Sequence, residues 1–140
     1  MRAIRTTLKT METREKLRVL VADDQPDICT TMSALLEGEG YAVRCVADGG
    51  AVVEAVREFR PHVCILDIGM PVQSGYSVAG DLRLMYGSRR PLLIAISGQW
   101  VKPSEKLLAE SIGFDHFMQK PADPDHVLGL LKDIETTLQP

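Results

Sequence analysis

The sequence predicts a single α/β domain built on a doubly wound parallel sheet with helices on both faces. Five short apolar runs follow one another at intervals of about 20 to 25 residues. Each run precedes a segment with the 3.6-residue periodicity of an amphipathic helix. Five such units joined by right-handed crossovers form a doubly wound sheet, and a length of 140 residues fits one domain.

The five runs predicted as strands cover residues 17–22, 41–46, 62–66, 92–96 and 114–118. The first, third and fourth are almost continuously apolar, which is typical of central strands covered on both faces. The second and fifth are more mixed, which favours positions near the edges of the sheet. These preferences agree with the strand order 2-1-3-4-5, one of the two common orders for doubly wound sheets.

Each of the five predicted helices carries one apolar stripe. Gly40 ends the first helix, the fourth runs from about Pro103 to Gly113, and the last has Asp123 as its N-cap and Pro124 as its first residue. The predicted stripes consist of Ile28, Met32, Leu35 and Leu36; Val52, Val56 and Phe59; Val78, Leu82, Met85 and Tyr86; Leu107, Leu108 and Ile112; and Val127, Leu130, Leu131, Ile134 and Leu138.

Residues 1–16 carry five basic and two acidic residues without a strand pattern, so we expect a mobile N-terminal extension there.

Composition excludes several classes of protein. The formal net charge of −3 does not favour binding to nucleic acid or anionic lipid. No apolar run approaches the roughly 20 residues that cross a bilayer, and no signal peptide is evident, so we expect a cytoplasmic protein. Cys29, Cys45 and Cys64 form no CxxC pair and are expected to be reduced.

Polar side chains follow four of the predicted strands, where each strand ends. Asp23 and Asp24 follow the first strand, Asp67 the third, Ser97 the fourth and Lys120 the fifth. Because the carboxyl ends of parallel strands meet at one edge of the sheet, we expect these side chains to share one cleft. Two carboxylates about 5 Å apart repel by about 3 kcal/mol at a dielectric constant of about 20, so the cleft requires cations.

Lys120 supplies one positive charge to this cleft. The remaining oxygen ligands, without His or Cys beside them, suit Mg²⁺ or Mn²⁺ rather than zinc. A metal, an ammonium and a hydroxyl around one carboxylate also match what a transferring phosphoryl group requires. We therefore interpret Asp67 as a nucleophile that forms an aspartyl phosphate.

The chain resembles the receiver domain of bacterial two-component response regulators. The resemblance extends over residues 17–138 and rests on the segments VLVADDQPD, CILDIGMPVQSGY, AISG and GFDHFMQKP, which occur in this order at the predicted strand ends. It implies a flavodoxin-like five-stranded sheet in the order 2-1-3-4-5. It also implies a Mg²⁺-dependent phosphoacceptor rather than an enzyme with a separate substrate.

The resemblance implies a role for each residue of the cleft. Asp24, Asp67 and the backbone carbonyl of Gly69 would hold Mg²⁺ directly, and Asp23 would act through bound water. Lys120 would contact the phosphoryl group, with Pro121 after a cis peptide bond, and Ser97 would donate its hydroxyl to a phosphoryl oxygen.

Further positions would govern signalling and the lifetime of the phosphoryl group. Ser97 and Phe117 would form the conformational switch, read out on the face made by the fourth helix, fifth strand and fifth helix. Gly69 and Gln99 flank the site and would tune the lifetime. The absence of a side chain at Gly69 would leave the phosphoryl group open to water or to a phosphotransfer partner.

The expected partners are a histidine kinase or histidine phosphotransfer protein and a downstream protein target, with no nucleic acid and no membrane. We expect a stand-alone receiver that is a monomer or a phosphorylation-dependent dimer. A phosphate sink and a pseudo-receiver interaction module are alternatives. A haloacid-dehalogenase-like phosphatase is remote because Gly69 replaces its second acid, and a flavodoxin-like cofactor carrier is disfavoured because Asp23 and Asp24 would repel a bound phosphate.

Overall fold

A computed structural model describes residues 16–98 and 102–138 of the chain. Five parallel strands form one sheet in the order β2-β1-β3-β4-β5, which confirms the predicted fold class and strand order. The strands are β1 (Arg18–Ala22), β2 (Ala42–Val46), β3 (Val63–Asp67), β4 (Leu92–Ser97) and β5 (His116–Gln119). The predicted extension lies outside the described residues except for Lys16.

Five α-helices lie within the described ranges, namely α1 (Pro26–Gly38), α2 (Val52–Phe59), α3 (Gly75–Tyr86), α4 (Pro103–Ile112) and α5 (Pro124–Leu138). Three begin with proline, whose fixed φ suits the first helical turn and whose missing N–H is not needed there. The predicted cap of α5 is present, since the Asp123 carboxylate accepts a hydrogen bond from the Asp125 backbone N–H at 3.0 Å. None of the described helices is both long enough and apolar enough to cross a bilayer.

Two hydrophobic cores lie on opposite faces of the sheet, and the buried strand β3 serves both. Cys64 and Leu66 pack in the core under α2, α3 and α4, whereas Val63 and Ile65 pack in the core under α1 and α5. Successive side chains of a strand point to opposite faces, so a strand covered by helices on both sides must be apolar at every position. This requirement explains the continuous apolar runs in the sequence.

Three of the stripe residues whose burial is described are exposed rather than packed in the core. Leu107 and Leu108 on α4 and Met85 on α3 are exposed. The core contacts of α4 come from Ala109, which is fully buried and lies outside the predicted stripe, and from Ile112, which belongs to that stripe and is half-buried one turn later. The prediction was wrong because the larger leucines dominated the periodicity, while the small Ala109 marks the face that packs closely on the sheet.

The fifth strand also differs from its prediction. Phe114 was placed in the strand, but β5 begins at His116 and Phe114 lies before it. The Phe114 ring is buried and packs edge-on against Tyr76 of α3, with 6.2 Å between the ring centroids. The apolar residue therefore serves the core from a loop, which a linear pattern does not distinguish from the start of a strand.

The start of α3 is pressed against the end of β3. A Cβ atom on Gly75 would lie 2.9 Å from Ile68 Cα and 3.0 Å from the Asp67 carbonyl oxygen, both backbone atoms. Gly80, on the same helix, has open space where its Cβ would be. Close packing therefore requires glycine at position 75, whereas no described atom prevents a side chain at position 80.

The same substitution should therefore have opposite effects at these two positions. Gly75→Ala should lower the free energy of unfolding by about 1–3 kcal/mol, because the backbone at Asp67 must move. Gly80→Ala should raise it by about 0.5–1 kcal/mol through helix propensity. Chemical denaturation of both variants measures the difference, and equal effects would contradict the close approach at Gly75.

Candidate functional site

The carboxyl ends of four strands meet in one cleft. Ala22 of β1 lies beside Leu66 of β3, so the residues that follow them, Asp23 and Asp67, are neighbours. On the other side of β3, the end of β4 places Ser97 beside Gln119 of β5, and Lys120 comes next. The parallel register therefore gathers residues almost 100 positions apart in sequence, as the sequence predicted.

Three carboxylates form the acidic centre of this cleft. Asp23, Asp24 and Asp67 each offer an oxygen, and these oxygens lie within 4.8 Å of one another. Asp23 and Asp67 are buried, while Asp24 is exposed. Burial keeps water from screening the first two charges, so their proximity requires a compensating cation.

Each buried carboxylate has one oxygen held by the main chain. Asp23 Oδ1 accepts a hydrogen bond from the Gln25 N–H at 2.9 Å, and the Asp23 N–H is bonded to the Val46 carbonyl oxygen. Asp67 Oδ1 accepts a hydrogen bond from the Gly69 N–H at 3.0 Å. Both Oδ2 atoms are thereby directed to the same cation, the Lys120 ammonium.

Lys120 bridges the two buried carboxylates. Its Nζ lies 2.8 Å from Asp23 Oδ2 and 3.2 Å from Asp67 Oδ2, and 18% of its side chain is exposed. Burial by itself lowers the pKa of Lys120, but the hydrogen bonds to Asp23 and Asp67 outweigh burial and raise it above its ordinary value. The ammonium is therefore charged at neutral pH and offsets part of the acidic cluster.

The backbone around Lys120 fixes its position. Its N–H donates to the Ser97 carbonyl oxygen at 2.7 Å, and the Lys120–Pro121 peptide bond is cis, as the resemblance implied. Ser97 is buried at the end of β4. A Cβ on Gly98 would lie 3.7 Å from Lys120 Cδ, so the lysine stem passes close to this loop.

Gly69 lies at the open side of the acceptor. It is exposed, and among the described residues a Cβ built on it would meet only Asp67 Oδ1, at 3.8 Å. A side chain at this position would therefore fit without a clash and would cover the carboxylate. The roles of the Gly69 carbonyl and of the Ser97 hydroxyl remain predictions, and Gln99 lies outside the described residues.

Phe117 lies on β5, three residues before Lys120, and is half-buried. Its ring packs against the core under α4, and Lys106 Nζ of α4 lies 5.9 Å from the ring centroid. The ring thus connects β5 to α4, and its movement in a switch remains a prediction.

Two neighbours of the site were missed at the sequence level. Cys29 Sγ lies 3.9 Å from the Asp23 carbonyl oxygen, and burial raises the pKa of this thiol to about 12, so the group is a neutral thiol. An apolar cleft of about 580 Å³ between α1 and the start of α5 also opens beside Asp23 and Lys120. Its lining includes Ile28 and Met32, which the helical pattern assigned to packing alone.

The donor set suits a hard divalent cation. Carboxylate oxygens from Asp23, Asp24 and Asp67 converge, and the cluster contains no His or Cys ligand. Mg²⁺ and Mn²⁺ prefer such oxygen ligands, and the exposed Asp24 leaves an entry path from solvent. The residues therefore fit the metal predicted from the sequence.

Comparison with known proteins agrees with this geometry. A family model for the response regulator receiver domain matches residues 19–132. The transcriptional regulatory protein KdpE of Mycobacterium tuberculosis is 35% identical over 114 residues, which are 81% of this chain and 49% of that protein. The DNA-binding response regulator MtrA of Mycolicibacterium smegmatis is 30% identical over 115 residues, 82% of this chain and 49% of that protein. The chain spans about half the length of these curated relatives.

Solved structures show the same fold. The chemotaxis protein CheY4 of Vibrio cholerae superposes with a TM-score of 0.78 at 25% identity, over 85% of this chain and 98% of that one. The receiver domain of the Francisella response regulator 1452 superposes with a TM-score of 0.80 at 22% identity, over 87% and 98% of the two chains. The second likeness is one of fold alone.

Magnesium should stabilise the protein through the acidic cluster. Without metal, Asp24→Asn should raise the melting temperature slightly, because it removes one of three mutually repelling charges. With Mg²⁺, the wild type should gain stability by ligand linkage, and Asp24→Asn should gain much less. Thermal unfolding with Mg²⁺ and with EDTA measures both effects.

Asp27→Asn is the matched control, since Asp27 is an exposed acid of α1 outside the three-carboxylate cluster. This variant should keep the full magnesium-dependent increase. An equal magnesium effect in Asp24→Asn and the wild type would contradict the proposed metal site.

Proposed function

The chain belongs to the response regulator receiver family, and on that premise we propose that Asp67 accepts a phosphoryl group from a phosphohistidine. The donor would be a histidine kinase or a histidine phosphotransfer protein. The observation that carries this proposal is the shared contact of Lys120 Nζ with Asp23 and Asp67 inside a cluster of three carboxylates. Such a cluster of carboxylates destabilises the folded chain. Its presence is explained if the site binds a cation and, together with that cation, a phosphoryl group.

We propose different tasks for the two oxygens of Asp67. Oδ1 is held by the Gly69 N–H, whereas Oδ2 contacts the Lys120 ammonium, so we assign Oδ2 as the attacking atom. An Oδ2–P bond would form as the P–N bond to the donor imidazole breaks, with the electron pair leaving on the imidazole nitrogen. The Lys120 ammonium, which donates to Asp67 Oδ2, would then donate its hydrogen bond to a phosphoryl oxygen.

Asp24, Asp67 and the Gly69 carbonyl would hold a Mg²⁺ or Mn²⁺ ion directly, with Asp23 acting through water. When bound, the ion supplies positive charge that offsets the carboxylates and the incoming phosphoryl oxygens. Asp23 also positions Lys120 through the 2.8 Å contact between its Oδ2 and Nζ. The chain's own contribution is therefore to orient the nucleophile and to hold an ammonium opposite it.

Ser97 and Phe117 would transmit the phosphorylated state. In this proposal the Ser97 hydroxyl donates to a phosphoryl oxygen, and the Phe117 ring follows into the space that becomes available. The contact of Lys106 with the Phe117 ring links this movement to α4. Leu107 and Leu108 are exposed apolar residues of α4, and we propose that they contribute to contact with a protein target.

The apolar cleft beside the site supports transfer from a protein donor. It is bounded by α1 and by the segment from Lys120 to Pro124, so an apolar surface beside a phosphohistidine can pack there while its phosphate reaches Asp67. The chain spans about half the length of its curated relatives, so their output and pathway do not carry over to it directly. We propose a receiver that signals through protein contact and turns over no separate substrate.

Phosphorylation should be specific to Asp67. Incubation with Mg²⁺ and a small acyl or amido phosphate should add one phosphoryl group to the wild type by intact mass. Asp67→Asn should acquire none, since an amide lacks the nucleophilic oxygen, and EDTA should abolish the adduct. Asp133→Asn, an equivalent change of an exposed aspartate on α5, should be modified normally. An undiminished adduct on Asp67→Asn would refute the assignment.

The open space at Gly69 should shorten the life of the phosphoryl group. Gly69→Asn should lengthen the half-life several-fold, because the new side chain fits over Asp67 and hinders water. Gly38→Asn, at an open position at the end of α1, is the control and should decay like the wild type. The measurement is loss of the phosphoryl adduct with time, and equal decay of all three proteins would remove this explanation.

A further inference from the structure

A second cavity, which arginines border, lies at the opposite edge of the sheet from the phosphorylation site. It has a volume of about 480 Å³ and is bordered by the residues that open or precede three strands: Arg18 of β1, His62 before β3 and Pro91 before β4. The intervening strands of about five residues separate the two sites by about 15 Å. The cavity is therefore independent of the acidic cleft.

Four arginines line this cavity, in a chain whose formal net charge is −3. They are Arg18, Arg57, Arg60 and Arg89, and no carboxylate is among the described lining residues. Arg57 pairs with Glu54 on the surface of α2 at 2.9 Å. The arginines around this cavity that lack such a pair repel one another, and a bound anion would relieve that repulsion.

Two of these guanidinium groups are directed to no other described side chain. For Arg60 and Arg89, the described part of the chain provides no ion pair and no side-chain hydrogen bond, and both residues are exposed. Their planar donor sets remain available to a ligand. Guanidinium groups of this kind bind phosphate through paired hydrogen bonds.

The wall that carries Arg60 is held rigidly. Arg18 Nε donates to the carbonyl oxygens of Phe59 at 3.1 Å and Arg60 at 2.7 Å, and the Arg18 N–H donates to His62 Nδ1 at 2.9 Å. These bonds join β1 to the end of α2 and to the start of β3. A site with fixed walls loses little conformational entropy when it binds a ligand.

Arg60 stands where glycine is usually preferred. Its φ of 51° and ψ of 60° place it in the left-handed region at the C-cap of α2. A residue with a Cβ pays a conformational cost there that glycine avoids. Replacement by glycine therefore removes the guanidinium without damage to the backbone geometry, which makes a clean test of its role.

The rest of the lining is apolar and includes an aromatic ring. Val56, Pro61 and Pro91 are buried, and Tyr86 at the end of α3 is half-buried. A volume of about 480 Å³ is typical of small-molecule sites and exceeds what one phosphate group needs. A flat ring beside Tyr86 and the prolines would use this space, with its phosphate toward Arg60 and Arg89.

We propose that this arginine-lined cavity binds a small molecule that joins a phosphate to a flat ring, of the size of a nucleoside monophosphate. The juxtaposition that carries it is four arginines, one tyrosine and three buried apolar side chains around a 480 Å³ hollow. The proposal goes beyond phosphorylation of Asp67 and does not depend on it.

The test is a titration of the full chain with adenosine monophosphate, inorganic phosphate and adenosine, in EDTA so that the acidic cleft carries no metal. Amide NMR shifts locate the binding, and calorimetry gives the affinities. The monophosphate should bind most tightly and shift the amide signals of Arg60, His62, Arg89, Arg90 and Leu92, the residues around the cavity that carry a backbone N–H. Phosphate should bind more weakly at the same residues, and adenosine should bind least.

Arg60→Gly and Arg89→Gln should each weaken binding of the monophosphate by about tenfold, since each removes a charged phosphate contact. Arg60→Gly should also keep or raise the melting temperature, so that lost binding cannot be ascribed to misfolding. Lys132→Gln removes an exposed positive charge on α5 and should leave binding unchanged.

Three outcomes would overturn the proposal: no binding of the monophosphate, equal binding of monophosphate and adenosine, or equal losses in the two arginine variants and Lys132→Gln. Each is independent of the phosphorylation assay, because Asp67 and its metal play no part in the titration. Failure here would leave the assignment of Asp67 intact, and failure of phosphorylation would leave this cavity unaffected.

Discussion

The contact of one ammonium with two buried carboxylates is the interaction on which the functional edge of this protein depends. Lys120 Nζ bridges Asp23 and Asp67, and the exposed Asp24 adds a third negative charge within 4.8 Å. One lysine cannot neutralise three carboxylates, so the cluster retains an affinity for further positive charge. The proposed metal binding follows from this imbalance, and the bound cation would in turn offset the charge of an incoming phosphoryl group.

Parallel topology produces this concentration of charge at one edge and a different one at the other. Every strand runs in the same direction, so residues after the strands gather at one edge and residues before them gather at the opposite edge. Acidic residues occupy the first edge, and the arginines that line the 480 Å³ cavity occupy the second. The end of α2 lies at the second edge, where arginines also interact favourably with the negative end of the helix dipole.

The fold and the central site were largely predictable from local pattern. Continuous apolar runs identified β1, β3 and β4 because both faces of these strands are covered, and the polar residues after them had to share an edge. The prediction was wrong for Leu107 and Leu108, which are exposed, and for Phe114, which packs from a loop. In these places hydrophobicity did not report burial, since α4 packs on the sheet through the small Ala109 and through Ile112 rather than through its two leucines.

Sequence by itself determined the number and order of the elements, the identity of the acidic and basic groups, and the end of each strand at which they lie. Only the tertiary structure decided that Asp23 and Asp67 share Lys120 through their Oδ2 atoms, and that Arg18, Arg60 and Arg89 surround a common hollow. The physical reason is the sequence distance over which the interactions act. Periodicity and capping arise from neighbours within a few residues, whereas these contacts join positions that chain folding alone brings together.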